Sequence, residues 1–172
     1  MNKIRLQKGF WAVAVAVLMI STLVSCKPYS KKHVCKNFSI TVSRDFPNTN
    51  WAFEQEVLDF DFDIEDTAQY YDVSLVLLYD TSVVTLKDIP LSLILKSPDG
   101  MQSITKSHFL LDKANNPDIK MQNGNNAEVE VVVYPHRKLK TPGTYTLTVY
   151  RRAEKADNYG FISVATQVKV SK

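Results

Sequence analysis

Residues 58–66, LDFDFDIED, alternate apolar and acidic side chains from Leu58 to Ile64. Successive side chains of a β-strand point to opposite faces, so this period of two predicts a strand with one buried and one exposed face. The apolar set that we expect in the core is Leu58, Phe60, Phe62 and Ile64. Asp59, Asp61 and Asp63 would then line the outer face about 6.8 Å apart, where like charges discourage pairing with another strand edge.

The same alternation recurs through most of the chain. It is found in NFSITVS, PLSLILKS, EVEVVVY, TYTLTVY and FISVATQVKV, and in the run of Tyr71, Val73, Leu75, Leu77 and Tyr79. These segments are rich in β-branched and aromatic residues, and no segment shows a sustained helical stripe. The sequence therefore predicts an all-β protein, a single antiparallel β-sandwich of Ig-like or jelly-roll-like type over residues 37–172.

Turn residues separate these strand candidates. Residues 97–100, SPDG, predict a hairpin turn, because Pro98 fixes φ, Asp99 can bond the nearby backbone and Gly100 tolerates the exit from the turn. Residues 115–126, NNPDIKMQNGNN, are the least strand-like part. We interpret them as one long mobile loop, in which Asn123 and Asn125 are candidate contacts for a partner.

The N-terminal residues have the pattern of a signal peptide. Basic residues precede the apolar run FWAVAVAVLMI at 10–20, which is shorter than the roughly 20 apolar residues needed to cross a bilayer. A cleaved signal peptide over residues 1–25 is therefore favoured over a permanent transmembrane helix.

The sequence LVSC at 23–26 resembles the lipobox of bacterial lipoproteins, in which the cysteine is lipidated and becomes the mature N-terminus. We therefore expect Cys26 to carry acyl chains that anchor the protein in a membrane through a flexible tether over residues 26–36. Cys35 is then the only remaining thiol, either free or paired with another chain.

Charge excludes one class of partner. The chain has 21 Lys and Arg and 18 Asp and Glu residues, a net charge of +3. Lys3, Arg5 and Lys8 leave with the signal peptide, so the side chains of the mature protein sum to zero and a nucleic-acid partner is not expected. Basic residues remain concentrated around the tether at Lys27, Lys31, Lys32, Lys36 and Arg44. They form either a solvated linker or a contact with anionic headgroups.

The acidic alternation does not match a calcium loop. Asp59, Asp61 and Asp63 fit the first three ligand positions, but Ile64 replaces the required glycine and Tyr70 replaces the bidentate glutamate. A glycosidase pair would need one carboxyl with a raised pKa, and an exposed strand face gives no desolvation to raise it. We expect no metal site here.

Catalytic motifs are missing from the sequence. The histidines His33, His108 and His136 are scattered, there is no G-x-S-x-G, no cysteine pair exists to bind zinc, and few glycines are available for a phosphate loop. We therefore expect a protein that is not an enzyme, with no catalytic residue and no cofactor.

Several segments together resemble the gliding-motility lipoprotein GldH family of the Bacteroidota. They are FPNTNW, LDFDFDIEDTAQYYDVSLVLLY, PLSLIL and TPGTYTLTVYRRAEKADNYGFISVATQVKV. The matching positions are Phe46, Pro47, Asn48, Trp51, Phe60, Phe62, Ile64, Asp66, Tyr71, Pro142, Gly143, Tyr145 and Arg152. The resemblance implies a non-enzymatic scaffold or accessory subunit of a gliding or secretion assembly in the cell envelope. Surface-exported lipoproteins of this phylum tend to carry an acidic run soon after the lipidated cysteine. Lys27 follows Cys26 and no acidic run does, so we expect an outer-membrane lipoprotein that faces the periplasm.

Two further surface features remain as candidate sites. The acidic face of Asp59, Asp61 and Asp63 is a candidate docking surface for an envelope protein partner. Asp66-Thr67-Ala68 matches a short O-glycosylation pattern of that phylum, which makes Thr67 a candidate modification site.

A glycan-binding module is the alternative function. It requires aromatic side chains on one exposed surface, and Tyr70, Tyr150 and Tyr159 are the candidates for it. Trp51, Phe53, Tyr71 and Tyr145 are expected to pack in the core instead.

Overall fold

The computed structural model describes residues 38–52, 57–112, 114–152 and 158–172. Their strands, in chain order, are β1 (Ser39–Asp45), β2 (Asn50–Trp51), β3 (Val57–Ile64), β4 (Tyr70–Asp80), β5 (Asp88–Lys96), β6 (Gln102–Leu110), β7 (Lys120–Met121), β8 (Asn126–Lys138), β9 (Gly143–Arg151), β10 (Asn158–Tyr159) and β11 (Phe161–Val170). A short 3-10 helix, Pro47–Thr49, lies between β1 and β2.

The strands form two main sheets. One has the order β1-β11-β4-β8-β7 and the other the order β3-β9-β5-β6, while β2 and β10 pair separately. Every strand pair is antiparallel. The inner faces of the two main sheets share one apolar core, so the prediction of an antiparallel β-sandwich is confirmed.

The alternation in residues 58–66 has the predicted structural result. Phe60, Phe62 and Ile64 are buried, Leu58 is half-buried against the core, and the three aspartates between them are exposed. The inward positions of β4, from Tyr71 to Tyr79, are buried as well. The 97–100 turn also forms as predicted, since Gly100 N–H donates to the Ser97 carbonyl at 2.9 Å and β5 pairs with β6.

The sequence interpretation is incomplete for one strand and partly wrong for one loop. The hairpin turn at 97–100 requires a strand after it, but β6 shows no alternation of its own, because in QSITKSHFL only Phe109 is buried and polar residues occupy both faces. The interpretation of residues 115–126 as one long loop is partly wrong. Ile119 is buried and Lys120–Met121 pair with β8, so the segment ends in a hairpin.

The predicted signal peptide, Cys26, Cys35 and Phe53 lie outside the described residues. Within the described ranges, no helix has the length and apolar character required to cross a membrane.

Candidate functional site

The three aspartates of β3 form a row of carboxylates that are held by threonines of β9. The register pairs Asp59 with Thr148, Asp61 with Thr146 and Asp63 with Thr144. Each threonine hydroxyl donates a hydrogen bond to the opposite carboxylate, at 2.7, 2.7 and 2.6 Å respectively. We call Asp59, Asp61 and Asp63 the acidic row.

The acidic row arises from two matching alternations. The aspartates of LDFDFDI and the threonines of TYTLTVY both occupy outward positions, while Phe62 stacks on Tyr145 inside the sandwich with ring centroids 5.9 Å apart. Each carboxylate keeps free lone pairs, since a threonine occupies only one of about four acceptor sites. Among the described residues, no three His, Cys, Asp or Glu side chains are placed to hold a metal ion.

Asn123 and Asn125 lie in the turn between β7 and β8. Both are exposed. The Asn123 carbonyl closes the turn by accepting from Asn126 N–H at 3.3 Å, and the Asn125 carbonyl ties the turn to the end of β4 by accepting from Thr81 N–H at 2.8 Å. β7 ends the five-stranded sheet at the flank where β8 lies near β6, whereas β3 borders β1 at the other flank. The structure therefore does not bring these asparagines together with the acidic row.

Thr67 lies in the turn between β3 and β4. Its side chain is half-buried, and the flanking backbone is fixed because Ala68 N–H donates to Asp66 Oδ1 at 2.8 Å and the Tyr71 hydroxyl donates to the Asp66 carbonyl at 2.6 Å. O-glycosylation of Thr67 stays a prediction.

The three candidate tyrosines do not share one surface. Tyr70 is at the end of the sandwich where β9 begins, near Tyr145, whereas Tyr150 is five residues further along β9, about 17 Å away. Tyr70 also has ring partners already, because His136 stacks on it at 4.3 Å and Lys138 Nζ lies 4.9 Å from its centroid. Tyr70 is therefore not part of one aromatic platform with Tyr150.

The aromatic residues expected in the core are there. Trp51, Tyr71 and Tyr145 are buried, and Trp51 stacks on Phe46 with centroids 4.9 Å apart. They stabilise the sandwich and offer no exposed ring for a ligand.

A basic cleft at the end of the sandwich was missed by the sequence interpretation. It has a volume of about 420 Å³ and is formed by the turn after β5 and the segment after Tyr134. We define the basic cleft by four of its lining residues, His136, Arg137, Lys138 and Lys140. The signal in the sequence was the run HRKLK at 136–140, but a run of charges does not show what it faces.

The lining carboxylate of the basic cleft, Asp99, is engaged in hydrogen bonds. It accepts from the Ser97 hydroxyl, from Met101 N–H at 3.2 Å and from the Thr141 hydroxyl at 3.0 Å. These bonds, that from Ser97 most of all, lower the pKa of Asp99. Within the described part of the chain, no carboxylate lies within 4.0 Å of the side-chain nitrogens of Arg137, Lys138 or Lys140.

The sandwich and its sequence match a known protein family. A family model described as "Cadherin-like beta sandwich domain" matches residues 36–152. The chain belongs to this family. The match takes in β1 to β9 and with them both the acidic row and the basic cleft of this cadherin-like domain.

Solved structures with a similar fold come from different kinds of protein. The structure of infectious bursal disease virus, Gx strain, is 14% identical, with a TM-score of 0.44, over 78% of this chain and 32% of that one. A carbohydrate-binding module, CBM28, specific for non-crystalline cellulose, is 13% identical, with a TM-score of 0.42, over 77% and 73%. Dimeric latent PorU from Porphyromonas gingivalis is 13% identical, with a TM-score of 0.34, over 78% and 13%.

The cadherin-like chain thus spans about a third of the viral chain that it resembles. No curated protein matches it. At this level of similarity, what these proteins bind is not carried over to this chain.

Proposed function

We propose that this cadherin-like sandwich is a non-enzymatic, lipid-anchored outer-membrane protein that binds a protein partner in a cell-envelope assembly. The resemblance to the GldH family suggests an assembly for gliding motility or the secretion linked to it. The observation that carries the proposal is the acidic row, in which three exposed carboxylates are held at fixed spacing on one sheet face.

The acidic row suits a basic protein surface for two reasons. Because each carboxylate is already oriented by a threonine, a partner would not have to order these side chains on binding. Each carboxylate can only accept hydrogen bonds, so the complementary groups are arginine and lysine side chains. Charge complementarity of this kind mainly sets the rate of association and the choice of partner.

The same geometry argues against a catalytic role for the row. The carboxylates are exposed, and their described neighbours are threonine hydroxyls that donate toward them rather than nucleophiles held by a base. Binding is the function that this surface supports best.

The test is crosslinking in native cells followed by identification of the captured proteins. The variant Asp59→Asn/Asp61→Asn/Asp63→Asn should lose the partner that the natural protein captures. The matched control Asp45→Asn/Asp88→Asn/Asp118→Asn removes three exposed carboxylates elsewhere and should retain it. Equal capture by both variants would refute the acidic row as the docking surface.

The anchor has a separate test. Cys26→Ala should abolish incorporation of labelled palmitate, and Cys35→Ala should leave it unchanged. Proteinase treatment of intact cells should spare the protein if it faces the periplasm. A glycan array with the same protein should stay silent, and sugar binding without any captured protein would replace the scaffold with the glycan-binding alternative.

A further inference from the structure

The basic cleft lies at the end of the sandwich where the described chain begins. Phe38 packs edge-on against Tyr71 with ring centroids 5.7 Å apart, and its carbonyl accepts from Val170 N–H at 3.4 Å. Ser171 follows Val170 and lies at the same end of the sandwich. Its N–H donates to the Tyr70 carbonyl at 2.8 Å, and its hydroxyl is 3.0 Å from His136 Nδ1. The described chain therefore begins at the same end of the sandwich as the cleft.

The attachment point is at an end of the sandwich that a lipid tether can bring to the membrane. If Cys26 is lipidated, the 12 residues from 26 to 37 reach at most about 40 Å when fully extended. A tether of this length allows the end of the sandwich that carries Phe38 to meet the bilayer, and the charge of that end decides the proposed orientation. The basic cleft is on this end, whereas Lys87, just before β5, is at the opposite end with Arg151.

The side chains of the basic cleft retain donors for an anion. Arg137 uses one guanidinium nitrogen on Ser103 Oγ at 3.2 Å, and its planar group has five N–H donors. Lys138 donates to the Ala68 carbonyl at 2.7 Å and has two further ammonium hydrogens. The carboxylate of Asp72, next to His136, already accepts two hydrogen bonds, from His136 N–H at 2.7 Å and from the Ser171 hydroxyl at 3.0 Å.

An apolar side chain completes the rim. Met101, in the turn between β5 and β6, is 71% exposed and lines the same cleft. Basic groups beside an exposed apolar side chain suit the boundary between headgroups and acyl chains, where charge attraction and apolar burial both contribute to binding.

We propose that the basic cleft binds the phosphate of an anionic lipid headgroup in the membrane that carries the anchor. This inference rests on the proposed lipid anchor and adds an orientation to it: the sandwich stands with the cleft on the membrane and the acidic row along its side. Three permanently cationic side chains line the cleft, against the single carboxylate of Asp99, which gives the charge complementarity. A volume of about 420 Å³ is within the range of small-ligand pockets and accommodates a headgroup.

The experiment uses the lipidated full-length protein in vesicles of phosphatidylcholine alone or with one third phosphatidylglycerol. Acetylation of each lysine by an amine-reactive reagent is followed by mass spectrometry. We expect Lys140 to react at least fivefold more slowly in the phosphatidylglycerol vesicles, because one basic residue at an anionic surface contributes about fivefold to binding. Lys87, at the far end, should react equally in both.

A variant separates recognition by the cleft from mere proximity to the bilayer. Arg137→Gln/Lys138→Gln should bring the two Lys140 rates together, whereas the control Lys96→Gln/Lys106→Gln, on the outer face of the four-stranded sheet, should keep the difference. Equal Lys140 rates in the natural protein, or protection that persists in the Arg137/Lys138 variant, would overturn the proposal. The comparison of vesicles in the natural protein needs no variant to fold.

Two further arms identify the source of the phosphate and test the anchor. Inorganic phosphate added to phosphatidylcholine vesicles should not protect Lys140, and equal protection would assign the cleft to a free anion instead of a lipid. Flotation with both vesicle types reports the anchor alone. Flotation without protection would overturn only the headgroup site, whereas failure to float would overturn the anchor and this inference with it.

Discussion

The hydroxyl of Tyr134 donates to the carbonyl of Ser103 at 2.6 Å, and this hydrogen bond joins the two sheets of the sandwich. Tyr134 belongs to β8 of the five-stranded sheet and Ser103 to the edge strand β6 of the four-stranded sheet. The same hydroxyl lies 3.3 Å from the carbonyl of Leu93 in β5. A buried polar group thus ties the edge strand to the opposite layer, next to the basic cleft.

Removing this hydroxyl should weaken the sandwich. Tyr134→Phe keeps the ring and leaves the buried carbonyls without their donor, so we expect a loss of about 1–2 kcal/mol in the free energy of unfolding. Tyr159→Phe, which changes a 58% exposed side chain, is the matched control and should have almost no effect. Urea denaturation measures both, and equal stability of the two variants would contradict a structural role for the inter-sheet bond.

Alkaline pH should destabilise the fold through its buried tyrosines. Burial raises the pKa of Tyr71, Tyr79 and Tyr134. A pKa that is higher in the folded than in the unfolded chain means that the stability is complete below the unfolded value of about 10 and falls as pH rises through the folded value. Tyrosinate absorbance should therefore show that these three rings ionise at higher pH than exposed tyrosines, and that their ionisation coincides with unfolding. A single native titration near the ordinary pKa would refute this.

Gly160 should not tolerate a side chain. Its φ is +90°, and a Cβ would lie 2.7 Å from Val84 Cγ2 and 3.1 Å from the backbone nitrogen of Val84. We expect Gly160→Ala to cost roughly 2–4 kcal/mol, since left-handed strain and a backbone clash add together. Gly124 has φ +66° with no atom within 4 Å of its Cβ position, so Gly124→Ala isolates the strain at about 1–2 kcal/mol. Thermal melts that rank the variants in the reverse order would contradict this account.

Two positions on β3 test the inward and outward faces directly. Phe60 is fully buried, and Phe60→Ala should cost about 3–5 kcal/mol through lost burial and a cavity. Val57 on the same strand is 48% exposed, so Val57→Ala should change stability by less than about 1 kcal/mol. Chemical denaturation distinguishes them, and a similar cost for both would argue against the observed orientation of the strand.

Much of the fold is predictable from local alternation, because each inward residue must be apolar wherever a sheet has one buried face. This is why Phe60, Tyr71 and Tyr145 were assigned to the core from the sequence. β6 was implied only by the hairpin turn at 97–100, because it is an edge strand whose Lys106 and His108 face water and whose pairing depends on the neighbouring strand β5. Alternation also gives no information on strand order, such as the placement of β9 between β3 and β5.

The candidate surfaces were predictable only in part. The acidic row was visible, because its three aspartates lie on one strand, but the threonines that orient it come from a strand more than 80 residues away. The basic cleft joins Tyr70, Asp99 and Lys140, which distant parts of the sequence supply. A site assembled by tertiary contacts leaves only fragments in the linear pattern, here the run HRKLK.

The position of β11 between β1 and β4 limits when the five-stranded sheet can close during folding. β1 pairs with β11 alone among the described strands, through partners such as Ser39 and Lys169. β1 therefore stays without its partner until β11, which follows all the other described strands in the sequence, is available. Such distant pairing slows folding, and it makes the chain dependent on protection from aggregation until residues 161–170 are available.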